Sequence, residues 1–151
     1  MTAQRNRRLA AGIAAAATLT LGLAVTNPSA ATAATLQAPE VTVTPSTNLA
    51  DGQVVTVSVN GFGANETLYI GQCTDIDATT FVCDEPGLPS VSVTTDATGS
   101  GTTTVTVHRT FDGYLVGSGS TWGSVDCSQL ACYLGVGNAT QGGGSPVLSF
   151  S

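Results

Sequence analysis

Few residues in this chain could do covalent or acid–base chemistry: one histidine, four cysteines and ten carboxylates, with no lysine. Four of the carboxylates, Asp75, Asp77, Asp84 and Glu85, lie close together and could supply an acid and a base, or oxygen ligands for calcium. A calcium-loop register starting at Asp75 fails, because it puts Thr80 where the sharp turn needs glycine and Pro86 where the bidentate glutamate belongs. A Ser-His-Asp arrangement would have to recruit His108, which falls on the outward, hydroxyl-bearing side of a strand. The chain has neither a G-x-S-x-G elbow nor a phosphate-cradling loop. The four carboxylates therefore read as solvated loop charges, and the chain is not expected to be an enzyme, to hold a metal or to use a catalytic cofactor.

The cysteines point to bracing. Cys73, Cys83, Cys127 and Cys132 match no zinc-ligand spacing, and His108 is remote from them in sequence. Four cysteines allow three pairings; pairing neighbours closes rings of about 11 and 6 residues, worth roughly 2 to 3 kcal/mol each in the loop-entropy account. Disulfides require an oxidising compartment, and the N-terminus supplies the route. Arg5, Arg7 and Arg8 precede the apolar run Leu9 to Val25, which ends in small residues around Ala31-Thr32-Ala33. Residues 1–33 read as a cleavable signal peptide, and 34–151 as one secreted domain with a single core and no membrane anchor. Without the leader, Arg109 alone faces ten carboxylates, a formal net charge of −9. So acidic a domain has no basic stripe for phosphates, and direct nucleic-acid binding is not expected.

These groups must be positioned by strands. Apolar and hydroxyl residues alternate in Val55 to Val59 and Thr104 to Val107, with shorter signals at Val41 to Thr44, Leu68 to Cys73, Val91 to Thr95, Ala131 to Val136 and Pro146 to Phe150. Asp51-Gly52, Asn60-Gly61, Asp96 to Gly99 and Asp112-Gly113 read as turns. Gln141 to Ser145 reads as a flexible surface loop, and Trp122 as packing at a ribbon or strand edge. Seven short antiparallel strands favour an all-β, immunoglobulin-like two-sheet sandwich, with a small closed barrel as the alternative.

Two strands share an unusual pattern. Leu68 and Ile70 face one way while Tyr69, Gly71 and Cys73 face the other; Leu134 and Val136 likewise oppose Tyr133, Gly135 and Gly137. Glycine weakens a strand and marks a bulge or the close approach of a ligand or another backbone. With the aliphatic residues in the core, the tyrosine and glycine faces form an outward trough, and cysteines at the ends of both strands would hold its walls rigid.

Gly71-Gln72-Cys73 with Cys83, Val107 to Tyr114, Gly123 to Cys127 and Ala131-Cys132 closely resemble the neocarzinostatin family of enediyne-binding apoproteins. Val41 to Pro45 and Leu49 to Gly52 match as well, so the resemblance spans essentially the whole mature chain. It implies a seven-stranded immunoglobulin-like sandwich with an additional two-stranded ribbon, and neighbour pairing of the cysteines. It also implies a cleft that non-covalently stores and delivers a reactive enediyne-type aromatic chromophore, the small molecule damaging DNA. The implied ligand-binding positions are the six trough residues Tyr69, Gly71, Cys73, Tyr133, Gly135 and Gly137, together with Asp75, Phe81, Cys83, Leu88, Tyr114 and Val116. Against the family's namesake, Asp75 replaces a tryptophan, Leu88 and Val116 two phenylalanines, and Tyr133 and Gly137 a glutamine and a serine, so the same chromophore is not implied. The expected product is a monomeric, secreted carrier whose partner is an aromatic small molecule. A binding or adhesion module without enediyne cargo is the alternative, ahead of a small hydrolase.

Overall fold

The computed structural model describes residues 38–87 and 89–151; the expected signal peptide, its boundary at 33/34 and Leu88 lie outside the described residues. Ten strands follow in chain order: β1 (Glu40–Thr44), β2 (Gln53–Asn60), β3 (Thr67–Asp75), β4 (Phe81–Cys83), β5 (Val91–Thr94), β6 (Gly101–Val107), β7 (Thr110–Leu115), β8 (Thr121–Asp126), β9 (Cys132–Gly137) and β10 (Gly142–Gly144). They form a sheet of three, β1-β2-β6, and a sheet of seven, β10-β9-β3-β4-β7-β8 with β5 also on β3. All pairings are antiparallel.

Valine spacing explains the smaller sheet. Val41 opposes Val59, Val43 opposes Val57 and Val55 opposes Val105, so the inward rows are built mainly of valine, with Gly101 and Thr103 of β6 completing the rows of Val59 and Val57. The alternate rows, Thr42 with Ser58 and Thr44 with Thr56, face out. The inward valines meet Leu68, Ile70, Val93, Leu134 and Val136 of the larger sheet in the main core. Each such side chain contributes about 1.5 to 3 kcal/mol on burial. A smaller second core of Val82, Val125, Cys127 and Cys132, packed with Phe111 and Leu115, lies beneath the β7–β8 ribbon.

Three local readings are corrected. Pro146 to Phe150 is not a ladder strand: its amides go to different elements, Leu148 to Cys132 and Ser149 to Ser46, leaving a single bridge between Leu49 and Phe150. Gln141 to Ser145 is not a loop, because Gly142–Gly144 pair with β9 through backbone groups that no side-chain pattern advertises. Asp112-Gly113 is not a turn but lies inside β7, where a Cβ on Gly113 would stand 2.3 Å from Val82 Cγ1 and 2.9 Å from Val125 Cγ2. That glycine lets the ribbon close onto the second core. Trp122 occupies the edge strand β8 and is 41% exposed.

One turn glycine is indispensable. Gly99 has φ +79°, and a Cβ there would stand 1.9 Å from the Phe62 carbonyl oxygen.

Candidate functional site

The outer face of the larger sheet is organised by register into three rows. In the first, Tyr133, Cys73, Cys83 and Tyr114 are direct cross-strand neighbours on β9, β3, β4 and β7. The second consists only of glycines, Gly144, Gly135 and Gly71, and the third is Gly142, Gly137 and Tyr69. A band without side chains thus runs between rows that carry rings. The opposite faces of the same strands hold Leu68, Ile70, Leu134 and Val136 in the main core.

Two hollows open on this face. One, of about 620 Å³, lies among Phe81, Val116, Tyr133 and the β10 glycines. The other, of about 580 Å³, lies among Tyr69, Gly71, Gly137, Leu115 and the Glu85–Gly87 and Pro89 wall. Both also touch Cys73, Cys83, Val116, Gly135 and Val136, so they are two lobes of one cleft meeting over a disulfide saddle. Each volume suits a drug-sized organic ligand.

Cys73 is bonded to Cys83 across the β3–β4 hairpin, and Cys127 to Cys132 across the β8–β9 connection. The expectation that both bonds brace the trough is corrected. Cys132 points to the opposite face from Tyr133, and the Cys127–Cys132 bond is buried in the second core. The Cys73–Cys83 bond alone borders the cleft.

The glycines also differ in role. A Cβ on Gly71 would meet Pro89 Cγ at 3.1 Å and Asp84 Oδ1 at 3.2 Å, and one on Gly137 would meet the Gln141 carbonyl oxygen at 2.7 Å. These two admit the chain's own segments closely and line the second lobe only with their edges. Of the three trough glycines, Gly135 is the one whose missing Cβ opens on the cleft, between the Cys73 sulfur 3.3 Å away and the edge of the Tyr133 ring at 3.8 Å.

Of the remaining expected positions, Phe81 (43% exposed) and Val116 (60% exposed) form the rim. Their backbones are joined by a 3.1 Å bond from Val116 N to Phe81 O. Asp75 is not on the lining but accepts a 2.5 Å hydrogen bond from the Tyr133 hydroxyl. Tyr114 lies beside Cys83 in the first row and borders neither lobe. Residues missed in the sequence include Gly142–Gly144, Asn138 and the Pro86–Gly87 wall. The β10 glycines had one available signal: Asn138 follows Gly137 directly, and its Oδ1 accepts from Thr140 N and Gln141 N to make the tight turn of a hairpin.

The carboxylates do not converge. Asp77 is bound by Thr79 N and Oγ1, and Glu85 by Ser90 N and Oγ. His108 Nδ1 is 3.6 Å from Asp51 Oδ1, with both side chains exposed.

Asp84 differs from the others. Burial pushes its carboxyl up to about 6, against the opposing hydrogen bond from Gln72 N at 3.1 Å. The folded state therefore holds this proton more tightly than the unfolded chain does, whose value is 3.8. Its stabilising contribution is present at acid pH and is lost as pH rises through about 6. Asp77, Asp96 and Asp126 are held below the usual carboxylate range, chiefly by hydrogen bonds from Thr79, Thr98 and Ser128, and act in the opposite sense at lower pH. Asp84→Asn keeps an acceptor for Gln72 N. Chemical denaturation should find this variant more stable than the wild type at pH 8, by about 1 kcal/mol after allowance for partial exposure. The gap should close by pH 4; a gap independent of pH would refute the assignment.

These features define a small, disulfide-braced β-sandwich with a largely apolar, two-lobed cleft on one sheet face. The family model described as the Neocarzinostatin family matches residues 41–150, and the chain belongs to that family. It is 35% identical to the antitumor antibiotic C-1027 apoprotein of Streptomyces globisporus over 150 residues, 99% of each chain. It is 36% identical to macromomycin of Streptomyces macromomyceticus over 114 residues, 76% of this chain and 78% of the relative. The solved structure of macromomycin superposes with a TM-score of 0.67 at 34% identity, covering 76% of this chain and all of the other.

Proposed function

We propose that this protein is a secreted, monomeric carrier apoprotein that binds a reactive enediyne-type aromatic chromophore without covalent attachment, shields it and delivers it. Family membership supports the carrier role, and the two-lobed cleft over the Cys73–Cys83 saddle is the observation that carries it. The protein supplies shape and desolvation; the guest does the chemistry. Rings and disulfide sulfur flanking a glycine band accept a flat, apolar molecule and keep water and thiols from its core. Each large apolar group buried there contributes about 1.5 to 3 kcal/mol, so several contacts are needed to offset the ordering of the guest. Among the described residues the cleft lining holds a single carboxylate, Glu85, and no histidine; His108, the best nucleophile-activating group in the sequence, stands on the exposed crossover between β6 and β7. The formal charge of −9 on residues 34–151 repels phosphate, so DNA would be reached by the released guest and not by the loaded protein.

Organic extraction of protein purified from its native culture, followed by mass spectrometry, should yield one aromatic small molecule in roughly stoichiometric amount. Material that releases none, from a protein whose tyrosine fluorescence ignores added enediynes, would sink the carrier reading. Phe81→Ala should weaken binding of the extracted guest about threefold to tenfold, the range of one aromatic contact, with little change in stability because the ring is at the rim. Equilibrium titration checks this.

A further inference from the structure

Tyr133 is the ring closest to the glycine band, and its geometry is unusual. Its Cε2 is 3.8 Å from where a Cβ on Gly135 would stand, and its Cδ2 is 3.3 Å from the same point at Gly144. The ring therefore leans across two adjacent vacancies, and its hydroxyl is anchored on Asp75 Oδ1 at 2.5 Å. Burial, the hydrogen bond and the Asp75 charge hold the phenol well above the ordinary tyrosine range.

Resting on the carrier reading above, we infer that Asp75 is a positioning residue that fixes the Tyr133 ring as the wall of the first lobe, which thereby takes a flat, unsubstituted aromatic ring system. The rest of that lobe agrees. Phe81, Val116 and the disulfide offer no conventional donors, and the β10 glycines offer no side chains. Ser145 is the lobe's other hydroxyl, and it already donates to Pro146 O at 2.7 Å and accepts from Leu134 N at 3.0 Å. With Tyr133 engaged by Asp75, both side-chain hydroxyls of the lobe already have partners. A polar ring substituent entering it would lose its water and find no free side-chain donor, only the remaining lone pairs of two hydroxyls whose protons are already placed. The polar part of a guest belongs in the second lobe, where the Ser118 hydroxyl accepts from Ser120 N and keeps its own proton to donate, and the Glu85 carboxylate retains acceptor capacity beyond its Ser90 bonds.

The test has a ligand-free arm and a binding arm. In an alkaline titration of tyrosinate absorbance, one phenol of the wild type should ionise late. Asp75→Ala should bring that phenol forward, and Asp75→Asn, which keeps an oxygen acceptor without the charge, should fall between. An unchanged titration in Asp75→Ala overturns the positioning role. In the binding arm, pyrene is the probe. Asp75→Ala should lose about threefold to tenfold in affinity, Asp75→Asn should recover most of it, and 1-hydroxypyrene should bind the wild type more weakly than pyrene. Equal pyrene affinity in wild type and Asp75→Ala, or a preference for the hydroxylated probe, overturns the inference. A wild type that binds neither probe, but shows the late phenol, sinks the cleft's carrier role and leaves the Asp75–Tyr133 contact standing. Asp75 is exposed, so both variants should fold.

Discussion

Replacing Cys73 and Cys83 together by serine is expected to lower the unfolding free energy by about 3 kcal/mol and to speed guest release by an order of magnitude or more. The stability part follows from the chain entropy returned to the unfolded state when a loop with a sequence separation of 10 residues is opened. Such a loss is a large fraction of the 5 to 15 kcal/mol typical of a domain. The binding part follows from place. The bond joins directly opposed residues on β3 and β4, and β4 leads at once into Asp84, Glu85 and the Pro86–Gly87 wall of the second lobe. Without it, that wall hangs on two bonds between Asp84 and Gln72, Asp84 N to Gln72 O at 3.0 Å and Gln72 N to Asp84 Oδ1 at 3.1 Å, and on the Ser90 contacts to Glu85. Urea unfolding and stopped-flow release of a bound fluorescent probe separate the two effects. Serine replacement of Cys127 and Cys132, whose bond lies in the second core, should lower stability while leaving the release rate nearer that of wild type. Equal acceleration by both replacements would show that the saddle has no special part in holding the guest.

Gln72→Leu is expected to cost about 2 to 4 kcal/mol, although leucine is similar in volume and more apolar. Gln72 is 1% exposed on the inward face of β3. Its Oε1 accepts from His108 N at 2.8 Å, and its Nε2 donates to His108 O at 2.6 Å and contacts Cys127 Sγ at 3.3 Å. One amide thus satisfies both backbone groups of the residue at which the chain crosses from the three-stranded sheet to the ribbon. Leucine would leave those groups partly buried and unpaired, and the loss of their partners outweighs the gain in apolar burial. Hydrogen exchange at the His108 amide should accelerate strongly. Thermal unfolding at a wild-type midpoint, with His108 still protected, would count against this account.

How much was legible differs from element to element. Val55 to Val59 and Thr104 to Val107 announce themselves because one face is dry and the other wet, and both appear as half-buried strands. β4, β7, β8 and β10 do not announce themselves. β10 is three glycines, β4 three residues, and β7 and β8 are bent around Gly113 and Gly123, so period two has no room to repeat. Conversely Pro146 to Phe150 carries the alternation without the ladder, because Leu148 fills the core from an extended segment. Within the cleft, alternation identified Tyr69, Gly71, Cys73, Tyr133, Gly135 and Gly137 as sharing an outward face, since facing is a property of each strand alone. It did not show Gly71 beneath Pro89, Asp75 holding Tyr133 or Tyr114 beyond both lobes, since those depend on contacts between segments distant in the chain.

The amino-acid sequence by itself determined the all-β class, the acidity and the two strands that floor the cleft, because these depend on composition and short-range periodicity; for the cysteines it left three pairings, of which the structure has the neighbour pairing. The tertiary structure alone decided that Gly144, Gly135 and Gly71 align as one bare row, and that a single disulfide sits between two hollows. The reason is register: which way a side chain faces is settled within each strand, whereas sliding β9 along β3 so that Tyr133 opposed Gly71 would keep every side chain on its face yet put a ring into the bare row.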